Sequence, residues 1–450
     1  MTAIEQSIFK AYDIRGKVGT ELTPDVAEAV GKAFADWLPT EGAVAVGRDM
    51  RPDSSALAAA FAQGLRVQGR DVVDIGQVTS DMIYFAVGSG GLAGGAMVTA
   101  SHNPGADNGI KLCREDAKPV GIESGLAEVR DAAIAGTFKA AERTGKSTEM
   151  DVTEAWIEHA LSFVDASVWP AYSVAVDAGN GMAGAIVPRL EPKIPLAITP
   201  MYFELDGTFP NHIANPLVPE NLVDLQAKIA ETKADFGVAF DGDGDRAVVV
   251  DENGTPLPGT IVTAILAEYF LSKHPGATIL YNANCGRVVP ATIEKHGGVP
   301  RRTKVGHSFI KADMRQYDAV FAGEHSGHYY FKDNFYADSG LIGALVVIEV
   351  LAKSGLRLSE LAARYQNGYV SIAETNFEVT DKDAVIEKLR HDFSDAAQNE
   401  LDGLTVEYDD SWFIVRPSNT ESVIRLNAEA TSQQALDTLV ARATAVIAAE

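Results

Sequence analysis

Three stretches of the chain repeat one pattern. AVAVGRDMRPDSSALAAAFAQGLRVQGRDVVDIG, starting at Ala43, reads strand, polar loop, helix, strand. YSVAVDAGNGMAGAIVPRLEPKIPLAITPMYF, from Tyr172, and ATILYNANCGRVVPATIEKHGGVPRRTKVG, from Ala277, read the same way. In each, a short β-branched run precedes a helix-length segment of mixed polarity. Strands that alternate with helices pair mainly in parallel and are covered on both faces. The pattern predicts three similarly wound α/β domains with mixed or parallel sheets. A chain of 450 residues, 46% of them hydrophobic, can fill several such cores. Towards the end the character changes. NFEVTDKDAVIEKLRHDF, LTVEYDD, SWFIVRPS and SVIRLNAEA read strand–helix–strand–strand–strand, with a helix after Thr431. That predicts a smaller α+β domain. The expected domains are residues 1–148, 149–250, 251–367 and 368–450.

Charge and cysteine content narrow the partners. Lys and Arg number 38 against 62 Asp and Glu, a net charge of −24. Binding nucleic acid or an anionic membrane needs clustered basic residues, so neither is expected. A small anionic ligand remains compatible, because a few basic side chains focused in a cleft override a negative exterior. The two cysteines, Cys113 and Cys285, give no disulfide framework and fit a reducing compartment. The start lacks a signal-like apolar run, and the most apolar stretch, Leu341 to Ala352, carries Glu349 and is too short for a bilayer. A soluble cytoplasmic protein is expected, with no pattern that fixes an oligomeric state.

Within DFGVAFDGDGDRAVVVDENG, Asp241, Asp243 and Asp245 stand at alternate positions. Three such carboxylates repel one another unless a cation sits between them, and hard oxygen donors suit magnesium or calcium. An EF-hand also has this spacing, with Glu252 in its twelfth position. Its sixth position wants glycine, however, and holds Arg246, and AVVVD reads as a strand rather than a helix. A turn merely decorated with acids is the remaining alternative. Arg246 beside a metal would suit a phosphate.

VAVDAGNGMAGAIV places Gly179, Gly181 and Gly184 at dinucleotide-binding spacing, with Glu204 further on. An NAD-dependent oxidoreductase is therefore a competing function. A tight strand-to-helix turn explains the same glycines, and a dehydrogenase would leave the other loops unused. In GGAMVTASHNPGADNGIKL an apolar strand ends at Ser101, His102, Asn103 and Pro104, and Lys111 follows. The context is not the G-x-S-x-G of a hydrolase elbow. A serine that carries a phosphoryl group beside a metal fits, and so does a turn broken by Asn103-Pro104. GEHSGH gathers a carboxylate, two histidines and a serine without zinc-site spacing. RPSNTE can ring a phosphate or close a hairpin. His307 alone reads as an interior histidine.

Together, FKAYDIRG, TASHNPGADNGIK, DGDGDR, GEHSGH and RPSNTE, in that order, resemble the α-D-phosphohexomutase family across nearly the whole chain. The start resembles its phosphomannomutase/phosphoglucomutase branch. The resemblance implies four domains around a central cleft. It also implies phosphoryl transfer between C1 and C6 of a hexose phosphate, through an enzyme phosphoserine and a hexose 1,6-bisphosphate. Carried over residue by residue, it makes Ser101 the phosphorylated serine, with Mg2+ held by that phosphate and by Asp241, Asp243 and Asp245. Arg246 and Arg15 would lie at the reaction centre. Lys111 would be the general acid/base, with His328 a second candidate. Glu324 and Ser326 would bond sugar hydroxyls, and His307 and Lys304 would line the same cleft. Arg416, Ser418, Asn419 and Thr420 would grip the phosphate that is not transferred. Two positions depart from the family pattern. His325 stands where Met or Gln is common, and Asn284 where lysine is common, with Arg287 the nearest basic residue. Mannose phosphates are the leading substrate pair and glucose phosphates follow. A phosphoglucosamine mutase and a non-catalytic sugar-phosphate or metal-binding protein are the further alternatives.

Overall fold

The apolar run after Ala43 folds as the strand Val44–Arg48, and the next such run forms Val72–Gln77. They pair in parallel around the intervening helix Ser54–Val67, as a right-sized crossover requires. This is the architecture of a computed structural model that describes residues 4–366, 368–417 and 423–448. Among these residues there are four sheets. The first runs Ile14–Lys17, Asp107–Arg114, Gly94–Val98, Val44–Arg48, Val72–Gln77, Ser147–Glu149, with Lys118–Pro119 beside Asp107–Arg114. The second runs Ala247–Asp251, Phe236–Phe240, Tyr172–Asp177, Leu196–Met201, and the third Val299–Thr303, Thr278–Asn282, Phe321–Gly323, Tyr329–Phe331, Ala337–Asp338. The fourth is antiparallel and lies in the C-terminal α+β part.

Each of the first three sheets is parallel at its centre and turns antiparallel at one edge. The reason is connection length. Residues 99–106 and 241–246 are too few for a parallel crossover, which needs about a dozen or more. The strands Gly94–Val98 and Phe236–Phe240 therefore fold straight back on Asp107–Arg114 and Ala247–Asp251. The serine loop and the carboxylate loop are these two reversals, at the carboxyl ends of parallel strands. GEHSGH occupies the equivalent place after Phe321–Gly323, and RPSNTE begins where Ser411–Pro417 ends. The short strands Val370–Ser371 and Ala397–Asn399 went unread in the sequence because neither shows apolar alternation.

One apolar core runs through the first three sheets, with Trp156 fully buried against Phe85 at the junction. The C-terminal part has its own core. Its contacts with the third sheet are mostly polar. Arg287 Nη1 donates to Asp409 O at 2.7 Å, and Nη2 donates to Ser411 O at 3.1 Å and to Tyr408 O. Glu429 Oε1 accepts both Arg287 N and Trp412 Nε1 at 3.0 Å. Arg287, the basic residue nearest Asn284, thus docks the C-terminal part rather than facing the cleft. Asn284 itself reaches Glu374 at 3.4 Å. No helix among the described residues is long and apolar enough to cross a membrane. The most apolar, Gly340–Ser354, buries Glu349 against Trp169 Nε1 at 2.6 Å.

Replacing Arg287 by Met removes the fork that joins the third sheet to Tyr408, Asp409 and Ser411. The expected outcome is a larger radius of gyration by X-ray scattering and faster amide exchange over residues 404–417. An unchanged scattering curve and exchange pattern would count against the docking role.

Candidate active site

Ser101 has φ +52°, the left-handed region that serine enters only under constraint. The constraint is Arg51. Its guanidinium donates to Ser101 O at 2.9 Å, Asn103 O at 2.6 Å, Pro104 O at 2.9 Å and Asp107 O at 2.8 Å. Arg51 is buried, paired with Asp49 at 3.3 Å and packed on the Phe209 ring. It therefore threads the loop from inside. The hydroxyl of Ser101 then points across to the second sheet and donates to Asp241 Oδ2 at 2.7 Å. The two loops meet closely. A Cβ at residue 242 would lie 2.5 Å from Ser101 O, so the approach requires Gly242.

Asp241, Asp243 and Asp245 are all buried, with one oxygen of each within 4.8 Å of the others. Lys111 Nζ donates to Asp243 Oδ2 and Asp245 Oδ2, both at 2.6 Å. Asp241 Oδ1 accepts Arg246 N at 3.1 Å. Asp243 Oδ1 and Asp245 Oδ1 are buried and have no hydrogen-bond donor among the described residues. Burial, then the charges of Asp245 and Asp243, push the Asp241 carboxyl well above its ordinary range. Undonated, converging hard oxygens under mutual repulsion are what a divalent cation relieves, so this donor set fits one. Burial opposes the charge on Lys111, but Asp243 and Asp245 overcome it and hold its pKa well above the usual lysine range. Lys111 is an ammonium here.

Two further groups reach the serine loop. Arg15 Nε is held by Asp13 at 2.9 Å while Nη1 donates to Asn103 Oδ1 at 2.7 Å. Asp13 thus aims the arginine. His102 Nδ1 lies 2.8 Å from Arg246 Nη2 and 3.1 Å from Ser101 Oγ. Arginine only donates, so Nδ1 accepts and the ring proton sits on Nε2. Burial and then the Arg246 charge keep His102 neutral, well below its ordinary value. The sequence reading did not place His102 in the site. Its position beside Ser101 in the polar knot was the available signal.

The third sheet contributes GEHSGH. A backbone bridge joins Arg246 to His328. His328 Nε2 is 3.2 Å from Arg246 Nε and 3.5 Å from Asp245 Oδ1, while Nδ1 is 3.2 Å from Glu324 Oε2 and 3.0 Å from Ser326 Oγ. Burial and Arg246 disfavour the charged ring, but Asp245 and Glu324 outweigh them and push it up to about 9. Nε2 thus lies between the Arg246 guanidinium and the Asp245 carboxylate and can hold or release a proton at that atom. Glu324 is buried, and it accepts from Tyr330 at 2.7 Å, Asn282 at 3.2 Å and Gly306 N at 3.4 Å. His325 turns the other way. Its Nδ1 meets Thr260 Oγ1 at 2.9 Å, and the ring lines an apolar cavity of about 580 Å³ with Leu217, Val223 and Leu257.

His307 opens the helix His307–Gln316, and both its ring nitrogens are buried with no hydrogen-bond partner among the described residues. Lys304 is exposed over the Phe309 ring. Arg416 Nε donates to Asp402 Oδ2 at 2.6 Å, and the same oxygen accepts Val305 N at 3.0 Å. Asp402, absent from the sequence reading, therefore ties Arg416 to the backbone at Val305. Ser418, Asn419 and Thr420 lie outside the described residues.

The glycine fingerprint packs rather than binds. Met182 N donates to Gly242 O at 2.9 Å, and a Cβ on Gly181 would lie 2.8 Å from that oxygen. The turn is a close fit against the carboxylate loop, so the dinucleotide reading falls. The EF-hand reading falls too. Ala247–Asp251 is a strand, and Glu252 accepts from the hydroxyl of Ser359 at 2.5 Å.

The chain matches the family described as "Phosphoglucomutase/phosphomannomutase" in all four parts. Its alpha/beta/alpha domains I, II and III match residues 6–139, 154–254 and 258–368, and its C-terminal domain matches residues 374–446. Among curated relatives, a Xanthomonas campestris pv. campestris protein named "Phosphohexose mutases" is 40% identical over 430 residues, 95% of this chain and 96% of its own. A "Phosphomannomutase" of Salmonella montevideo is 39% identical and covered to 94% in both chains. The crystal structure of a phosphoglucomutase/phosphomannomutase family protein from Burkholderia thailandensis superposes with a TM-score of 0.91 at 37% identity. That superposition covers 99% of this chain and 98% of the other.

Arg51→Lys keeps the charge and loses the fork that spans four carbonyls. Leaving buried acceptors unmet costs about 1–3 kcal/mol each, so a stability loss of at least that size is expected in denaturant melts. Faster amide exchange over residues 101–109 should accompany it. A variant as stable as the parent would show that Arg51 does not hold the loop.

Proposed function

Because this chain belongs to the phosphoglucomutase/phosphomannomutase family and is a hexose-phosphate mutase, we propose that it interconverts hexose 6-phosphate and hexose 1-phosphate through a phosphoserine at Ser101. Mannose phosphates are the leading pair and glucose phosphates follow, with a hexose 1,6-bisphosphate as intermediate and activator. One observation carries this reading. The Ser101 hydroxyl donates to Asp241 inside the same buried cluster that holds Lys111, Arg246 and His328.

Phosphoryl transfer demands in-line placement and compensation of the charge that spreads over the phosphoryl oxygens. Mg2+, held by Asp241, Asp243, Asp245 and the Ser101 phosphate, would supply part of that compensation when bound. Arg246 and Arg15 supply fixed positive charge beside the serine loop, where they contact His102 and Asn103. Lys111 holds a proton in the cluster and can return it to a sugar oxygen or to the serine as the phosphoryl group moves. His328 can do the same at Nε2. Acid/base assistance of this kind contributes about 10²- to 10⁴-fold. Glu324, Ser326 and His307 meet the sugar, the last with two ring nitrogens in want of partners. Arg416, Lys304, Ser418, Asn419 and Thr420 take the distant phosphate. The bisphosphate has to present each end to Ser101 in turn, and a C-terminal part docked by polar contacts can swing to allow it. The two buried free thiols, Cys113 and Cys285, suit work in the cytoplasm.

Intact-mass spectrometry of the purified chain should show a fraction carrying one phosphoryl group, mapped to Ser101. Ser101→Ala should lose turnover by orders of magnitude in a coupled assay with mannose 1-phosphate or glucose 1-phosphate and trace bisphosphate, with its circular dichroism unchanged. Chelation should abolish activity and Mg2+ restore it. Full activity in Ser101→Ala would end the proposal.

A further inference from the structure

The two oxygens of Asp243 keep different company. Oδ2 accepts from Lys111 Nζ at 2.6 Å and from the hydroxyl of Ser80 at 2.5 Å. Oδ1 is buried with no donor among the described residues. Ser80 also holds the Asp243 backbone, its N–H donating to Asp243 O at 3.0 Å. Ser80 belongs to the first sheet's part of the chain, as the first residue of the helix Ser80–Gly90, and is 1% exposed. Lys111 Nζ lies 3.4 Å from the same hydroxyl oxygen. The O–H thus points at Asp243 and a lone pair at Lys111.

The flanking residues fix Ser80 in turn. The Thr79 hydroxyl donates to Asp81, and Asp81 Oδ2 accepts from Ser339 Oγ at 2.5 Å. Ser339 caps the helix Gly340–Ser354 of the third sheet. One helical turn from the first sheet therefore holds both the carboxylate loop and a helix of the third.

We propose that Ser80 is a positioning residue for the divalent cation, fixing which oxygen of Asp243 faces it and so favouring Mg2+ over larger ions. The proposal rests on Asp241, Asp243 and Asp245 being cation ligands. A carboxylate pinned at Oδ2 by two donors cannot rotate, and it presents Oδ1 alone. Mg2+ demands near-octahedral geometry with fixed short bonds, whereas Ca2+ tolerates two-oxygen binding and irregular shells. Without the hydroxyl, Oδ2 keeps only Lys111, and the carboxylate is free to swing both oxygens inward. The main-chain bond from Ser80 N survives substitution by Val, Thr or Ala, so the loop stays docked. The side-chain effect can then be read alone.

The test compares Ser80→Val and Ser80→Thr with the parent chain, titrating Mg2+ and Ca2+ by calorimetry and melting each protein metal-free. Val and Thr have the same shape, and only Thr keeps the hydroxyl. Losing an outer hydrogen bond to a ligand costs about 10- to 100-fold in metal affinity. The Val variant should lose that much for Mg2+ and less for Ca2+, and Thr should match the parent, while the metal-free melts measure separately the stability lost with the buried hydrogen bond. If Val fails to fold, Ser80→Ala takes its place. Unchanged Mg2+ affinity without the hydroxyl overturns the proposal, as do equal losses for both ions. A parent chain that binds neither ion instead overturns the ligand reading beneath it.

Discussion

Three carboxylates share one buried pocket, and no arrangement of this chain makes that favourable without positive charge around them. The fold can be read as the delivery of that charge. Lys111 comes from the strand after the serine loop, Arg246 from the carboxylate loop itself, and His328 from the third sheet. Desolvation alone would neutralise Asp241 and Asp245, and the cationic neighbours oppose it. The cluster forms only where three sheets present their strand ends to one another. Domain docking and site assembly are therefore a single event.

That geometry explains where small and rigid parts are placed. Gly242 lets the carboxylate loop touch the carbonyl of Ser101, and Gly181 lets the neighbouring strand-to-helix turn sit behind it. Arg51 gathers four carbonyls of this tight loop into one guanidinium. The C-terminal part is different in kind. Among the described residues it meets the rest through polar pairs of Arg287, Glu429, Asp402 and Glu407, with a small apolar contact of Ala283, Trp412 and Ile414. Polar docking over a small apolar area is compatible with relative motion.

Much of this was legible in the sequence, for physical reasons that differ by residue. Asp241, Asp243 and Asp245 announce a cation because acids at alternate positions between two strands have few other uses. The α/β class follows from strand and helix lengths alone. Ser101 was ambiguous by itself and gained meaning only beside the other loops. Arg51, Ser80 and Asp402 left no trace, because each acts on a group distant in the chain and none sits in a recognisable spacing, while His102 showed only through its place beside Ser101. The glycine fingerprint misled for a related reason. The same residues that admit a pyrophosphate also admit another backbone, and here the backbone of residue 242 is what approaches.

The left-handed backbone of Ser101 also bears on which hydroxyl residue can stand at this position. Threonine offers the same hydroxyl, but its branched Cβ crowds the preceding carbonyl at positive φ and restricts χ1. A chain that substituted it would have to strain the loop or flatten it and move the oxygen off Asp241. The choice between two chemically equivalent alcohols is thus made by a main-chain torsion, before any sugar arrives.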